Sequence, residues 1–212
     1  MKNRPRVIVN VAMSADGKIA LTGNKEVKIS GDEDFKRVHE LRNRVDAIIV
    51  GIGTVLADDP KLTVKEKYVD DPNKPLRVVL DSQGRIPENS NIFKDDNYLI
   101  ATAQETDRKD FVRCGDGDKV DINTLLRLLH EKGVREVLVE GGGEVIYSFF
   151  RSQAVDVFYV FVGSLIIGGR DAPTPADGEG ARLLDDIIQL KLISQEPMDD
   201  GVLLKYEVNY HD

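Results

Sequence analysis

The stretch that decides the fold is "DINTLLRLLHEKGVREVLVEGGGEVIYSFF", residues 121–150, because it predicts a helix, a buried strand and a second helix joined by short turns. Asp121 is a residue type that caps helices, and the leucine-rich segment after it stops at Gly133. "EVLVE" (136–140) is a short, valine-rich run typical of a buried strand. Three glycines follow, and the second helix is predicted to begin near Glu144.

The rest of the first two thirds of the chain repeats this alternation. A helix is predicted over "SGDEDFKRVHELRNR" (30–44), where Ser30 and Glu33 have the spacing of a capping box. Further short runs rich in Val and Ile predict strands: "RVIVNVAM" (6–13), "AIIVG" (47–51), "RVVLD" (77–81) and "YLIAT" (98–102).

The last third changes character. Strand-like runs occupy 155–163, 189–197 and 202–210, and the last two are separated only by "MDDG", so they predict an antiparallel hairpin at the sheet edge. The apolar segment 157–169 suits either a sheet-edge interface or a central buried strand. Together the patterns predict one α/β domain over residues 1–212. Its architecture is a three-layer αβα arrangement, in which a largely parallel sheet lies between two layers of helices.

Composition excludes several function classes. A net charge of −8 over 212 residues argues against a nucleic-acid surface, which depends on clustered Lys and Arg. One cysteine, Cys114, cannot form an internal disulfide, and three distant histidines show no zinc spacing, so no metal site is predicted. The sequence has no apolar run of the roughly 18 residues a membrane helix requires, and a cytoplasmic protein is expected.

The three glycines 141–143 raise the first functional hypothesis. They bring bare backbone amides to a predicted helix N-terminus, where a diphosphate fits. The alternative is a tight strand-to-helix turn that binds nothing. The turn has neither the G-x-G-x-x-G spacing of a Rossmann fold nor the G-K-[ST] of a Walker loop.

Two other polar turns follow predicted strands. "GIGTVLADDPKLTV" (51–64) places glycines, Thr54 and paired acids at a carboxyl strand end, where open α/β sheets bind ligands. The structural alternative is that Thr54 caps a short helix and that Asp58 with Asp59 forms a turn before Pro60. "NVAMSADGKIA" (10–20) ends its strand in a similar polar turn, so all three turns are expected at one edge of the sheet.

These motifs, with "LRNRVDAIIVG" before the second and "PLRVVLDSQGRIP" and "VDVFYVFVGSLIIGG" elsewhere, resemble the reductase family of riboflavin biosynthesis over essentially the whole chain. Without a zinc site for a deaminase domain, the chain is similar to the stand-alone form. The resemblance implies a dihydrofolate reductase-like fold, a homodimer, and NADPH-dependent reduction of the ribosyl side chain of a diaminopyrimidinone ribosylamine 5′-phosphate to ribityl. Alternatives are the 5-amino-uracil counterpart, another pterin or pyrimidine substrate, or a non-catalytic NADP-binding regulator.

The resemblance also implies site residues. Those matching cofactor positions are Thr54, Asp58, Ser82, Gly141, Gly142, Gly143 and Glu144. Arg85 is a candidate for the 2′-phosphate of NADPH, although an exposed arginine at a turn is the alternative. Those matching substrate positions are Arg42, Leu62, Lys65 and Glu140.

Among these, Arg42 and Lys65 are candidates for the ribose phosphate, although Arg42 also suits a solvated helix end. Glu140 and Asp58 are the candidate acids for proton transfer, with water as the alternative donor. Two positions depart from the family pattern: Lys28 replaces an aromatic residue and Lys65 replaces an arginine.

Overall fold

The computed structural model describes residues 3–210, and within that range the chain forms nine strands and four α-helices. Two short 3₁₀ helices, Asn91–Lys94 and Leu184–Asp186, lie in the connections. The strands are β1 (Arg6–Ser14), β2 (Ala47–Gly51), β3 (Leu76–Leu80), β4 (Tyr98–Thr102), β5 (Phe111–Arg113), β6 (Glu136–Val139), β7 (Val157–Gly163), β8 (Gln189–Met198) and β9 (Gly201–Asn209). The helices are α1 (Asp32–Arg44), α2 (Ile52–Asp58), α3 (Ile122–Glu131) and α4 (Gly143–Arg151).

All nine strands form one sheet in the order β5-β4-β3-β2-β6-β1-β7-β9-β8. The first seven are parallel, whereas β9 and β8 run antiparallel as a hairpin at the edge, as predicted. Because β7 lies between β1 and β9, the sheet-edge interpretation of segment 157–169 is wrong for this strand, and the central buried strand is what the structure shows. Strand β5 was not predicted, since three residues are too few to show a period.

Helices cover both faces of the sheet, which confirms the predicted three-layer arrangement of helices, sheet and helices. Val7 and Val9 of β1 point into a core that also contains the apolar side of α3 and α4, while Ile8 joins a second core with α1 and α2. This division follows from the alternation of side chains along a strand. Strands buried on both faces therefore read as continuous apolar runs.

The predicted capping box of α1 is wrong. Gly31 is the N-cap residue and the helix start makes no local side-chain cap. Instead the carboxylate of Asp199, from the β8–β9 turn, accepts hydrogen bonds from the amides of Gly31 (3.1 Å), Glu33 (3.1 Å) and Asp34 (3.0 Å). Ser30 and Glu33 have the right spacing, but a distant acid reaches the amides that a local cap would satisfy.

The ends of two other helices match the prediction. Asp121 caps α3 by accepting a 2.6 Å hydrogen bond from the amide of Thr124. Gly133 follows α3 with φ +93°, a backbone conformation suited to glycine. Helix α4 begins at Gly143, one residue before the predicted position. In residues 3–210 no helix is both long enough and apolar enough to traverse a lipid bilayer.

Candidate active site

Strand β6 ends earlier at the carboxyl edge of the sheet than its neighbour β1. Val139, the last residue of β6, pairs with Val9 of β1 on one side and with Ile49 of β2 on the other. Strand β1 continues from this level to Ser14, so it forms a wall beside the shorter strand. Ligands of open α/β sheets bind in crevices at carboxyl strand ends. The glycine turn follows β6 at this carboxyl end of the sheet.

The turn and the first turn of α2 meet, as the sequence predicts. A β-carbon at Gly141 would lie only 2.8 Å from Thr54 Oγ1, so the threonine hydroxyl occupies the space that a side chain at Gly141 would need. Gly142 is different: it has φ +64°, and a β-carbon there would have Thr54 Oγ1 as its nearest neighbour, 3.9 Å away. Gly142 is therefore the glycine whose bare side faces open space.

Packing within the protein explains why residue 143 is a glycine. A β-carbon at this position would overlap the carbonyl oxygen of Thr174 and the carboxylate of Asp177. The Asp177 carboxylate is held in its own loop by the Thr174 amide (3.1 and 3.2 Å) and hydroxyl (2.6 Å). Close packing of this loop on α4 therefore accounts for Gly143, while the ligand hypothesis depends on Gly142.

Helix α2 divides the paired acids between two tasks. Gly51 is its N-cap, so Thr54 lies inside the first turn and does not cap the helix as the structural alternative supposed. Thr54 and Asp58 are four residues apart, which places them on the same side of the helix. Asp59 instead accepts hydrogen bonds from the amide (2.8 Å) and side chain (2.8 Å) of Asn91, and so fixes the neighbouring loop. Asp58 is therefore the acid of the pair that is available on the Thr54 side of α2.

The environment of Asp58 disfavours its charged form. Burial against the protein, followed by the negative charge of Glu26 in the loop after β1, raises the pKa of Asp58 above its ordinary value. A carboxyl group with a raised pKa retains a proton further toward neutral pH. This property is the one that a proton donor requires.

Arg42 and Glu140 form an ion pair on the opposite side of the turn. Arg42 Nε lies 2.9 and 3.0 Å from the two Glu140 carboxylate oxygens, and Nη2 lies 2.8 Å from Oε2. The Glu140 side chain is 7% exposed and that of Arg42 is 20% exposed. Burial alone would lower the pKa of Arg42, but the pairing with Glu140 outweighs it and raises that pKa. The two guanidinium nitrogens fix the orientation of the Glu140 carboxylate, which can accept further hydrogen bonds from a ligand.

Helix α1 also holds the segment that follows α2. Arg42 Nη1 donates to the carbonyl of Thr63 (3.3 Å), and the amide of Lys65 donates to His39 Nδ1 (3.3 Å). The His39 ring is 3% exposed and stacks on Tyr68 with ring centroids 4.9 Å apart. Leu62, at the start of the segment, is buried with φ +49°, a strained conformation for a branched residue. The candidate substrate residues Leu62 and Lys65 are thus fixed by α1.

We expect His39 to make the protein acid-sensitive. Burial, then the charges of Arg42 and Lys65, lowers the pKa of His39 from 6.5 to about 4. Between these values the unfolded chain binds a proton that the folded chain excludes, so the free energy of unfolding falls as pH decreases from about 6.5 to about 4. The loss is about 3 kcal/mol in all.

Urea unfolding across this pH range checks the expectation, with His39→Gln as the matched variant. Glutamine retains an acceptor for the Lys65 amide but does not titrate, so its stability curve should be flatter by that amount. Equal slopes for the two proteins would show that His39 is not the group responsible.

The loop after β3 carries the remaining cofactor candidates. Ser82 Oγ accepts a hydrogen bond from the amide of Val120 (3.1 Å), and Arg85 lies exposed on the turn. The preceding Asp81 is fully buried, and its Oδ2 accepts from the amide of Ile86 (2.7 Å). Its Oδ1 has no hydrogen-bond partner within the part of the chain that the structure describes. The loop lies at the same sheet edge as the glycine turn, with β2 between them.

Glu144 directly follows the glycine turn and is exposed in the first turn of α4. Lys28, one of the two positions that depart from the family pattern, is exposed four residues before α1 begins, with its ammonium 5.9 Å from the Phe35 ring centroid. The role of His39 was not predicted, although its position three residues before Arg42 places both on one side of α1.

The fold and the rim together define a class: a three-layer α/β protein of the dihydrofolate reductase-like type, with a bare glycine turn beside a buried carboxylate–guanidinium pair. Comparison with known proteins identifies the member of that class. The model of the RibD C-terminal domain matches residues 5–204, and the chain belongs to this family.

Two stand-alone relatives match this chain over most of their length. The chain is 40% identical over 216 residues to the 2,5-diamino-6-ribosylamino-4(3H)-pyrimidinone 5′-phosphate reductase of Methanothermobacter thermautotrophicus, covering 97% of this chain and 99% of that protein. It is 44% identical over 193 residues to the protein of the same name from Archaeoglobus fulgidus, covering 83% and 88%. The chain is an oxidoreductase of this reductase family.

Solved structures show the same fold. The RibD protein of Acinetobacter baumannii superimposes with a TM-score of 0.84 at 23% identity, over 98% of this chain. The chain spans 59% of the length of that protein.

Proposed function

We propose that the chain is an NADPH-dependent reductase that converts the ribosyl side chain of 2,5-diamino-6-ribosylamino-4(3H)-pyrimidinone 5′-phosphate to ribityl in riboflavin biosynthesis. The observation that carries this proposal is the match to two reductases of that name at 40% and 44% identity over most of both chains. We further propose that residues 1–212 form a single reductase domain and that the enzyme works in the cytoplasm, where the buried, unpaired Cys114 stays reduced.

The glycine turn supports binding of a dinucleotide. The open side of Gly142 leaves room for a diphosphate, and the amides at the start of α4 lie at the positive end of the helix dipole. Thr54 adds a hydroxyl from the facing helix, and Ser82 and Arg85 lie further along the same edge. The exposed guanidinium of Arg85 suits the 2′-phosphate that distinguishes NADPH from NADH. The bound cofactor supplies a hydride to C1′ of the substrate.

The other side of the turn supports binding of the phosphorylated sugar. Arg42, whose charge is balanced by Glu140, brings hydrogen-bond donors to the segment after α2, and the exposed Lys65 adds a positive charge there. Lys65 has its backbone fixed by His39, so its side chain is anchored at one end. A phosphate group gains from both positive charge and hydrogen-bond donors, and the two cations supply both. In an acidic protein such a local pair is a specific feature.

The two acids suit different roles in the chemistry. Asp58, with its raised pKa, donates a proton to the ring oxygen as the sugar ring opens and the C1′–N bond gains imine character. The Glu140 side chain, held in place by Arg42, accepts hydrogen bonds from sugar hydroxyls, which orients C1′. The walls formed by β1 and α2 help to exclude water from the reacting atoms. Water returns the proton to Asp58 after turnover.

Turnover on defined substrates tests the proposal. NADPH oxidation is measured with the 2,5-diamino compound and with its 5-amino-uracil counterpart, each with NADPH and NADH. We expect the diamino compound with NADPH to give the highest kcat/KM. Preference for the uracil form would assign the reaction to the deaminated pathway branch, and activity only on another pterin or pyrimidine would replace the substrate. Binding of NADP without turnover of any substrate would favour the alternative that the protein is a non-catalytic NADP-binding regulator.

We also propose that the enzyme is a homodimer joined through the edge strand β8. Leu192 and Ile193 of this strand are 51% and 48% exposed, and Ile187 just before it is 46% exposed. An edge strand with apolar side chains in water invites pairing with another chain, and a second copy would cover it.

Molar mass in solution checks the dimer. Leu192→Asp should convert a dimer to a monomer in light scattering at micromolar concentration, because a charge would be buried at the interface. Leu56→Asp is the matched control, since Leu56 of α2 is 50% exposed but far from β8 in the sheet order. A monomeric unsubstituted protein, or a Leu192→Asp protein that remains dimeric, contradicts this surface.

A further inference from the structure

The cap of α1 comes from the opposite end of the chain. Asp199 lies in the turn of the β8–β9 hairpin and accepts from three amides at the start of α1. Its own amide lies 3.4 Å from a carboxylate oxygen of Glu33, so the two acids exchange hydrogen bonds as a capping box does. Burial alone would raise the pKa of Asp199, but the three amides outweigh it and hold that pKa below its ordinary value. The contact is therefore made by the ionised carboxylate.

The space for this contact is kept open by Gly31. A β-carbon at Gly31 would overlap the Asp199 side chain, and the backbone of Gly31 is otherwise extended, with φ −95°. The absence of a side chain at this position is thus required by the approach of Asp199. A single added methyl group at residue 31 should expel the carboxylate without changing it.

A chain of contacts leads from the cap to the substrate side of the rim. Asp34, whose amide binds Asp199, is 2% exposed and accepts from Arg37 Nε at 2.8 Å. Arg37 Nη2 then donates to Asn10 Oδ1 at 2.7 Å. Asn10 follows Val9, the partner of the last β6 residue, so it lies at the level of Glu140, the residue that follows β6.

The same helix then carries both residues that fix the substrate segment. His39 holds the Lys65 amide, and Arg42 holds Glu140 and the Thr63 carbonyl. The cofactor side has a separate origin, since Thr54 belongs to α2 and the glycine turn to the β6–α4 connection. The position of α1 along its axis therefore bears on the substrate half of the rim, and its one hydrogen-bonded link toward the glycine turn among the described residues is Glu140, the residue before Gly141.

We propose that Asp199 is a positioning residue for substrate binding: by capping α1 from the edge hairpin, it sets the placement of Arg42 and His39, and through them of Lys65. This inference rests on the proposed function for the identity of the substrate. It assigns to the β8–β9 turn a role in the affinity for the pyrimidine phosphate that is separate from the affinity for the cofactor.

The kinetic test compares Asp199→Ala with the control Asp200→Ala, the neighbouring acid of the same turn. Asp199→Ala should raise KM for the pyrimidine phosphate about fivefold, the factor expected for loss of one helix cap, with cofactor Kd unchanged. Asp199→Asn, which keeps an acceptor, should recover most of the effect. Gly31→Ala should reproduce the rise while Asp199 is intact. Unchanged KM in folded Gly31→Ala protein, or an equal loss of cofactor affinity, overturns the proposal.

A second readout does not depend on activity. Hydrogen exchange at the Lys65 amide, which donates to His39 of α1, should become faster in Asp199→Ala and in Gly31→Ala than in Asp200→Ala. If the unsubstituted enzyme fails to reduce the pyrimidine phosphate, the proposed function is wrong, but this exchange difference still tests the coupling. If neither substitution changes the exchange rate of the Lys65 amide, the proposed coupling itself is wrong.

Discussion

Replacement of Gly142 by valine should lower the affinity for NADPH about a hundredfold, which corresponds to about 3 kcal/mol. Gly142 is the glycine of the turn whose missing side chain faces open space, with the nearest atom 3.9 Å from a β-carbon. Valine would fill the space proposed for the diphosphate and would strain a backbone held at φ +64°. Titration of the protein with NADPH by fluorescence or calorimetry measures the effect.

The control variant must replace another glycine that has a positive φ but lies away from the proposed diphosphate site. Gly133 has φ +93° and nothing within 4 Å of a β-carbon, and it lies at the amino end of β6, on the opposite edge of the sheet from the turn. Gly133→Val should therefore lose stability to a similar degree while its NADPH affinity is unchanged. Similar losses of affinity in both variants would attribute the effect to strain, and a folded Gly142→Val protein with normal affinity would remove the diphosphate from this turn.

Replacement of Arg42 by methionine should lower the free energy of unfolding by about 3 kcal/mol, because it leaves the carboxylate of Glu140 buried without its partner. It should also lower kcat/KM for the pyrimidine phosphate at least about a hundredfold, since the Thr63 contact and the orientation of Glu140 are lost together. Urea unfolding and steady-state kinetics measure the two effects.

A double-variant cycle separates the two losses. Adding Glu140→Gln to Arg42→Met removes the uncompensated charge, so the double variant should regain part of the stability but none of the activity. Arg44→Met is the matched control, because Arg44 is exposed in the last turn of the same helix. Additive effects on stability, or activity that recovers along with stability, would show that the pair is not a unit at the site.

Local patterns predicted the elements of this fold well. The Val- and Ile-rich runs became β1, β2, β3, β4 and β6 with bounds that differ by one residue or none, because a strand buried on both faces must be apolar throughout. The cap at Asp121 was predictable because donor and acceptor lie three residues apart. The convergence of Thr54 with Gly141 also followed from the rule that carboxyl strand ends share an edge.

Features that depend on distant contacts were not predictable. Ser30 has the right spacing for a cap, but only the folded chain brings Asp199 to the amides of α1. The three glycines read alike in the sequence, yet Gly143 is bare because the loop containing Asp177 packs against it. Likewise, Arg42 read as a phosphate ligand or a solvated helix end, and its pairing with Glu140, 98 residues away, became visible only in the fold.

A crystal structure of the protein with NADPH bound decides whether the glycine turn holds the coenzyme. We expect the diphosphate against the amides of Gly142 and the first turn of α4, within hydrogen-bond distance of Thr54, with the nicotinamide turned toward Glu140 and Asp58. A coenzyme bound at another edge of the sheet, or a glycine turn that contacts no part of it, would show that the site has been misplaced.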